Sequence, residues 1–164
     1  MPDHKTKLYN ILLILSRNIF FYEKIELQDT FETRIYLMFM HFSILMIVTK
    51  KKRSKFNQKS YDDFFNNIEY NLRELGFGDV SVNKKMKEFN QILYDILLKI
   101  NKSKMTNKDE LKVNDKLILK YFPELDDQKS PKYKHFEKYL TNFYKFCFEI
   151  PLQNMVREAV NYKG

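Results

Sequence analysis

The sequence predicts an all-α protein, a single compact bundle of six or seven helices around an apolar central helix. Three glycines and four prolines in 164 residues are too few for the turns that a small all-β protein needs. Apolar residues instead recur at intervals of three and four, which places them on one face of a helix. With 44% hydrophobic residues, a chain of this length can bury a substantial core. We therefore expect residues 1–164 to form one domain.

The N-terminal third predicts a first helix and then the central helix of the bundle. The first helix is expected from about Lys5 to Arg17, with a short helical piece after it. Asp29 is the expected cap of the next helix, and Glu32 is its reciprocal partner in a capping box. This helix should run to about Thr49. It is apolar on nearly every side, which is typical of a helix surrounded by others.

The segment from Ile35 to Val48 is the part of the chain that most resembles a membrane span. As a helix, its fourteen residues would extend about 21 Å, which is shorter than the roughly 30 Å hydrocarbon core of a bilayer. The segment also contains His41 and Ser43. We expect a buried central helix, with membrane contact as the alternative.

Two further helices are expected on either side of a glycine turn. After a polar, basic loop over residues 50–59, Ser60 is the expected cap of the first. Gly76 follows that helix as its C′ residue, because glycine adopts positive φ at little cost. The second helix is expected to begin at Val82. Since Gly76 and Gly78 are the two internal glycines of the chain, we expect the turn to pack closely against another segment.

The C-terminal part predicts the remaining helices. Thr106 with Asp109 resembles a weaker capping box for a helix that ends near Phe122, before Pro123. Ser130 is followed by proline, and this pair predicts a capped helix start. Pro151 should end or kink that helix, and a last helix is expected over residues 152–160.

Positive charge is in excess and unevenly distributed. The formal net charge is +8. The densest part is a run without an acidic residue, which contains Lys50, Lys51, Lys52, Arg53, Lys55 and Lys59. A second group contains Lys84, Lys85 and Lys87. Such groups suit an anionic partner, which could be RNA, a lipid surface or an acidic protein. The alternative is a solvated face with no partner.

Residue patterns for catalysis, metal binding or cofactor binding are not found. The single cysteine, Cys147, excludes an internal disulfide and lies on an apolar stripe, where a thiol is expected to pack and stay unreactive. The histidines and this cysteine do not show metal-ligand spacing. The string GFGDVS, residues 76–81, follows a helix and lacks the lysine of a phosphate-binding loop. We predict no catalytic residue, no metal and no cofactor.

Arg34 and His41 are seven residues apart and therefore share one stripe of the central helix. A charged group on such a stripe needs a partner. Asp79, at the end of the glycine turn, is the expected partner of Arg34. A structural role is expected for these residues, with a functional site as the alternative.

The N-terminus shows no clear export signal, because its apolar stretch from Ile11 to Leu15 is short and is followed by polar residues. A single cysteine is compatible with a reducing compartment. We expect a cytoplasmic protein with no signal peptide and no transmembrane span.

Two segments carry longer motifs. DTFETRIYLMFMHFSILM, residues 29–46, combines an Asp-Thr start, an arginine, and a Leu-rich helix with one histidine. FFNNIEYNLRELGFGDVSVNKKMKEF, residues 64–89, combines two aromatics, Leu-Arg-Glu, a Gly-x-Gly-Asp turn and a lysine-rich helix. In this order and spacing they resemble the ubiquinol–cytochrome c chaperone family over about residues 8–98. The chain departs from the family pattern at Thr33, where glycine is usual, at Ile68 and Glu69, where Met-Asp is usual, and at residues 93–95, where Phe-Tyr-Gly is usual.

The resemblance implies an all-helical, non-catalytic assembly chaperone for the cytochrome bc1 complex, which binds newly made cytochrome b or an assembly intermediate. It further implies a bacterial member, peripheral to the inner membrane, for which a second assembly factor, the ribosome and an anionic membrane surface are possible partners. No DNA partner is expected. The alternative function is a basic RNA- or ribosome-binding module unrelated to bc1 assembly, and an enzyme is the least favoured.

The positions that match the family pattern divide into two groups. The expected structural positions are Asp29, Arg34, His41, Gly76, Gly78 and Asp79. The expected partner-binding positions are Arg73, Lys84 and Lys85, to which the basic run adds Lys50, Lys51, Lys52 and Arg53.

Overall fold

Helices form almost all of the regular structure in the computed structural model, which describes residues 7–102 and 110–164. The α-helices are α1 (Lys7–Ser16), α2 (Phe31–Lys51), α3 (Gln58–Glu74), α4 (Asp79–Lys99), α5 (Asp115–Tyr121), α6 (Pro131–Glu149) and α7 (Leu152–Ala159). A π-helical turn covers Phe20–Lys24 and a 3₁₀ turn covers Pro123–Leu125. These described residues contain no β-strand, only one isolated antiparallel bridge between Asn101 and Val113. The prediction of an all-α bundle is confirmed.

The central element is α2, which contacts α1, α4, α6 and α7. A consecutive run of its side chains, Leu37 to Leu45, is buried because neighbouring helices cover several of its sides. At 21 residues it is about 31 Å long, so flanking polar residues extend it beyond the expected apolar segment. Within the described ranges, α2 is the one helix long and apolar enough to cross a membrane, and 67% of its most apolar window is buried. That burial favours the interpretation as the core helix.

Two of the predicted helix caps are wrong by a few residues. Thr30, not Asp29, caps α2: its backbone is extended and its side chain accepts a hydrogen bond from the Thr33 amide at 3.1 Å. Asn57, not Ser60, caps α3, since its side chain accepts from the Ser60 amide at 3.0 Å. The basic loop is accordingly shorter than predicted, because α2 continues to Lys51 and α3 begins at Gln58.

The predicted glycine turn is confirmed at Gly76. Its φ of 96° lies in the left-handed region. The Phe77 amide donates to the Leu72 carbonyl at 3.2 Å and the Gly76 amide to the Arg73 carbonyl at 3.0 Å. These two bonds define a Schellman motif, which satisfies the last carbonyls of α3.

The expectation of close packing at this turn is wrong. A Cβ added to either internal glycine would meet no atom within 4 Å. Gly78 has a φ of −80° and is the N-cap of α4, which begins at Asp79, three residues before the predicted start. Backbone geometry therefore requires glycine at position 76, and the structure shows no such requirement at position 78.

The helix predicted to end near Phe122 ends at Tyr121, but it begins only at Asp115. The capping box at Thr106 lies outside the described residues. Asn114 caps α5, and its side-chain oxygen accepts from the Leu117 amide at 3.4 Å. The cap at Ser130 is confirmed, with a 3.1 Å bond from the Tyr133 amide. Pro151 separates α6 from α7 as predicted.

Candidate functional site: an apolar groove beside the glycine turn

A groove with a cavity volume of about 350 Å³ lies where α1, α2 and α3 meet. We call it the Arg34 groove. Its apolar lining consists of Leu13, Phe31, Ile35, Met38 and Leu75, and its polar lining of Tyr9, Arg17, Arg34, Asn71 and Glu74. Ile35 and Met38 are buried and form the floor, whereas Arg17, Glu74 and Leu75 are exposed at the rim. An apolar floor with a few polar groups at its edge is the usual composition of a binding groove.

Arg34 stands at the edge of this groove and is held by Asp29. Its Nε and Nη2 atoms lie 2.9 and 2.8 Å from Asp29 Oδ1. The predicted pair between Arg34 and Asp79 is therefore wrong. Asp29 lies only five residues before Arg34, and the extended segment before α2 brings its carboxylate back over the first helical turn.

Asp79 instead pairs with Arg73 across the glycine turn. Arg73 lies in the last turn of α3 and Asp79 in the first turn of α4, so the Schellman motif brings the two side chains together. The hydrogen bond to Asp79 raises the pKa of the Arg73 guanidinium. Both residues are largely exposed, and such a pair contributes little to stability. The exposed guanidinium of Arg73 therefore remains accessible to a binding partner.

Tyr9 and Asn71 close one wall of the groove. The Asn71 amide donates a hydrogen bond to the Tyr9 hydroxyl. Burial raises the pKa of Tyr9, although the bond from Asn71 opposes that change. The hydroxyl therefore stays neutral and polar, and it links α1 to α3 beside the groove.

His41 lies in the core and not in the groove. Its Nδ1 atom is 2.7 Å from the Leu37 carbonyl oxygen, and its Nε2 atom is 2.7 Å from the Tyr139 hydroxyl. A carbonyl can only accept, so Nδ1 carries the proton and Nε2 accepts from Tyr139. Burial lowers the pKa of His41 to about 4. The imidazole is neutral, and both of its nitrogens have hydrogen-bond partners.

Three large apolar side chains project from the glycine turn next to the groove. Leu75 is 59% exposed, Phe77 38% and Val80 85%. Lys85 Nζ lies 5.1 Å from the centre of the Phe77 ring, and Lys84 is exposed one helical turn after Val80. We call this set of five residues the glycine knob. It brings two of the predicted partner-binding lysines together with apolar residues that sequence reasoning did not single out.

The basic run from Lys50 to Arg53 is divided between two roles. Lys52 Nζ donates to the Ile150 carbonyl at 2.6 Å and lies 5.3 Å from the centre of the Phe148 ring. Lys51 Nζ lies 5.8 Å from the centre of the Tyr144 ring, and burial lowers its pKa. These two lysines join the end of α2 to α6. Lys50 and Arg53 remain exposed, so the run is a less continuous cationic surface than its sequence suggests.

Cys147 is completely buried, and burial raises the pKa of its thiol to about 12. A thiol in this state is a packing residue, as the apolar stripe predicted. Over residues 7–102 and 110–164, no group of three or more His, Cys, Asp or Glu side chains could hold a metal ion.

Sequence reasoning located the arginines and the turn but missed the groove and the knob. A signal for the knob was present, because Phe77 and Val80 are large apolar residues within and beside a glycine turn and belong to no apolar stripe of a predicted helix. The groove left no such signal, because its lining comes from three helices that are distant in the sequence.

The helical bundle thus presents an apolar groove with charged residues at its rim and an exposed apolar knob beside it. A family model described as "Ubiquinol-cytochrome C chaperone" matches residues 23–117, which is more than half of the chain. The chain belongs to the ubiquinol–cytochrome c chaperone family. No curated protein and no solved structure matches it. Family membership supports a general role as an assembly chaperone for the cytochrome bc1 complex and indicates a non-enzymatic protein that interacts with components of that complex.

Proposed function

We propose that this chaperone holds newly made cytochrome b, or an assembly intermediate that contains it, in the Arg34 groove until the bc1 complex can be built. The observation that carries the proposal is the position of the family motif. Arg34 comes from the first motif segment, and Glu74 and Leu75 come from the second, yet all three line one apolar groove. A membrane-protein client exposes apolar segments before assembly, and such a segment matches the floor formed by Ile35 and Met38.

The charges at the rim favour a client segment with apolar and acidic residues. Arg17 is exposed at one side of the groove, and Arg34 is half-buried at another. Glu74 is the acidic residue of the lining. The two arginines can therefore orient an acidic or carbonyl-rich segment while the floor binds its apolar side chains.

We further propose a bacterial member of the family that works in the cytoplasm at the surface of the inner membrane. A ribosome and a second assembly factor are the proposed additional partners, because a newly made client passes from one to the other. The exposed residues Lys50 and Arg53 are the proposed contacts for such polyanionic or acidic partners.

The proposal is tested in host cells that lack the native gene and carry a variant copy. Leu13→Gln and Arg17→Glu alter the groove without removing a buried core residue. The matched controls change exposed residues outside the groove lining. They are Leu98→Gln, at a residue 72% exposed near the C-terminus of α4, and Lys145→Glu on α6. Cytochrome b in the membranes and bc1 activity should fall several-fold in the groove variants and stay near wild type in the controls.

Co-purification gives the second measurement. Tagged wild-type protein should bring down cytochrome b from solubilised membranes, and the groove variants should bring down much less. Normal bc1 activity and cytochrome b levels in cells without the gene would disprove the chaperone function. Full activity in the groove variants would retain the chaperone function and reject the groove as the site.

A further inference from the structure

The glycine knob exposes apolar side chains in a place where the fold does not use them. Leu72 and Val82, on either side of the turn, are completely buried and make the contacts of α3 and α4 with the core. Leu75, Phe77 and Val80 lie between them and point to solvent, and Val80 is 85% exposed. Scattered exposed apolar residues are ordinary, but three within six residues at the tip of a helical hairpin form a local apolar surface.

Cations surround this apolar surface. Lys84 follows Val80 by four residues, and Lys87 follows Lys84 by three. The two lysines therefore lie on the same outer face of α4 as Val80. Lys85 lies against the Phe77 ring. Neither Lys84 nor Lys85 has an ion pair among the described residues, whereas the nearby Asp79 is already paired with Arg73. Acidic residues also lie near the tip: Glu69, one helical turn before Arg73, Glu74, which lines the Arg34 groove, and Glu88, further along α4.

We propose that the glycine knob is a membrane-contacting tip that inserts Phe77 and Val80 into the interface of an anionic lipid bilayer. A side chain that projects from a turn matches a soft surface that deforms around it, and apolar residues beside lysines are the composition of interfacial membrane anchors. Lysine stems can lie along the apolar region while their ammonium groups reach lipid phosphates. The net charge of +8 supplies the long-range attraction to the same surface.

This inference deepens the proposed function, because Leu75 belongs to both the knob and the Arg34 groove. An anchored knob places the mouth of the groove beside the bilayer from which a cytochrome b client would be received. The binding itself needs no client, so it can be measured on the purified protein alone.

The absence of tryptophan from the chain makes a direct test possible. Val80→Trp introduces a single indole at the tip, and Leu98→Trp introduces one at an exposed residue near the other end of the same helix. With vesicles that contain about one-third phosphatidylglycerol, the indole emission of the Val80→Trp variant should shift to shorter wavelength. The emission of the Leu98→Trp variant should stay unchanged. Vesicles of phosphatidylcholine alone should give little shift in either protein.

Vesicle co-sedimentation of the full chain separates the contribution of the apolar residues of the knob from that of its lysines. Phe77→Ser/Val80→Ser leaves the groove lining unchanged and should weaken binding to anionic vesicles about tenfold. Lys84→Gln/Lys85→Gln should weaken it by about twenty-five-fold, because each lysine contributes roughly a factor of five at an anionic surface. Lys134→Gln/Lys145→Gln, which removes two exposed charges from α6, should change binding less than threefold. Circular dichroism and melting temperature verify that every variant is folded.

Three results would overturn the inference: no binding of wild-type protein to anionic vesicles, equal binding to neutral ones, or unchanged binding of Phe77→Ser/Val80→Ser. A loss of bc1 assembly in that variant with normal vesicle binding would instead assign the knob to a protein partner. The groove variant Leu13→Gln should keep full vesicle binding, so failure of the proposed chaperone function and failure of the membrane contact give different results.

Discussion

His41 on α2 accepts a hydrogen bond of 2.7 Å from the Tyr139 hydroxyl on α6, across 98 residues of sequence. Both side chains are buried, and the imidazole also lies edge-on to the rings of Phe21 and Phe143. This pair supplies the only partner that His41 Nε2 has among the described residues. It therefore links the central helix to the C-terminal part of the bundle, outside the region in which the family motifs lie.

Tyr139→Phe should lower the free energy of unfolding by about 1–3 kcal/mol, because it leaves a buried acceptor on His41 without a donor. Urea denaturation at pH 7 measures the change. In the double variant His41→Leu/Tyr139→Phe the two polar groups are removed together. Its loss should be smaller than the sum of the two single losses, and strict additivity would contradict the hydrogen bond.

Stability should decrease as the pH falls below about 6.5. The pKa of His41 is about 4 in the folded protein against an ordinary value of 6.5, so the unfolded chain binds the proton more readily in this interval. The contribution of His41 to the free energy of unfolding should be nearly complete at pH 7 and smaller by about 2 kcal/mol at pH 5. The double variant His41→Leu/Tyr139→Phe is the reference, because it removes His41 and retains every other group that titrates between pH 5 and pH 7. An identical pH dependence in wild type and reference would show that His41 is not responsible.

Gly76→Val should destabilise the protein by more than about 1 kcal/mol, because its φ of 96° is strained for any residue with a branched Cβ. Gly76→Ala should cost about 1 kcal/mol. Gly78→Ser is the matched control and should cost less than about 0.5 kcal/mol, since the φ of Gly78 is −80°, its surroundings are open and serine is favoured at an N-cap. A melting temperature for Gly76→Ala equal to that of Gly78→Ser would contradict the Schellman turn.

Cys147 should resist alkylation in the folded protein. Burial raises the pKa of its thiol to about 12, so that little thiolate forms near neutral pH, and its side chain is inaccessible. Because the chain has one cysteine, incorporation of iodoacetamide measured by mass spectrometry reports this residue alone. Modification at pH 8 should be at least tenfold slower in native buffer than in 6 M urea, and comparable rates would contradict the burial.

The sequence determined those features that depend on neighbouring residues. Apolar periodicity defines the helices, glycine at position 76 ends α3, and Ser130 before proline begins α6, because all three depend on local backbone geometry. The motifs at residues 29–46 and 64–89 also identified the family. Thr30 caps α2 where Asp29 was predicted, but both residue types cap a helix by the same kind of side-chain hydrogen bond, so the helix itself was predicted correctly.

The tertiary structure decided what depends on helix packing and on competition between partners. Asp29 and Asp79 were both available as partners of Arg34, and only the folded turn shows that Asp79 is taken by Arg73. Tyr139 becomes the partner of His41 only when α6 packs on α2. The Arg34 groove and the glycine knob follow for the same reason: burial belongs to an assembled surface, so the sequence supplies the apolar residues and the packing determines which of them stay exposed.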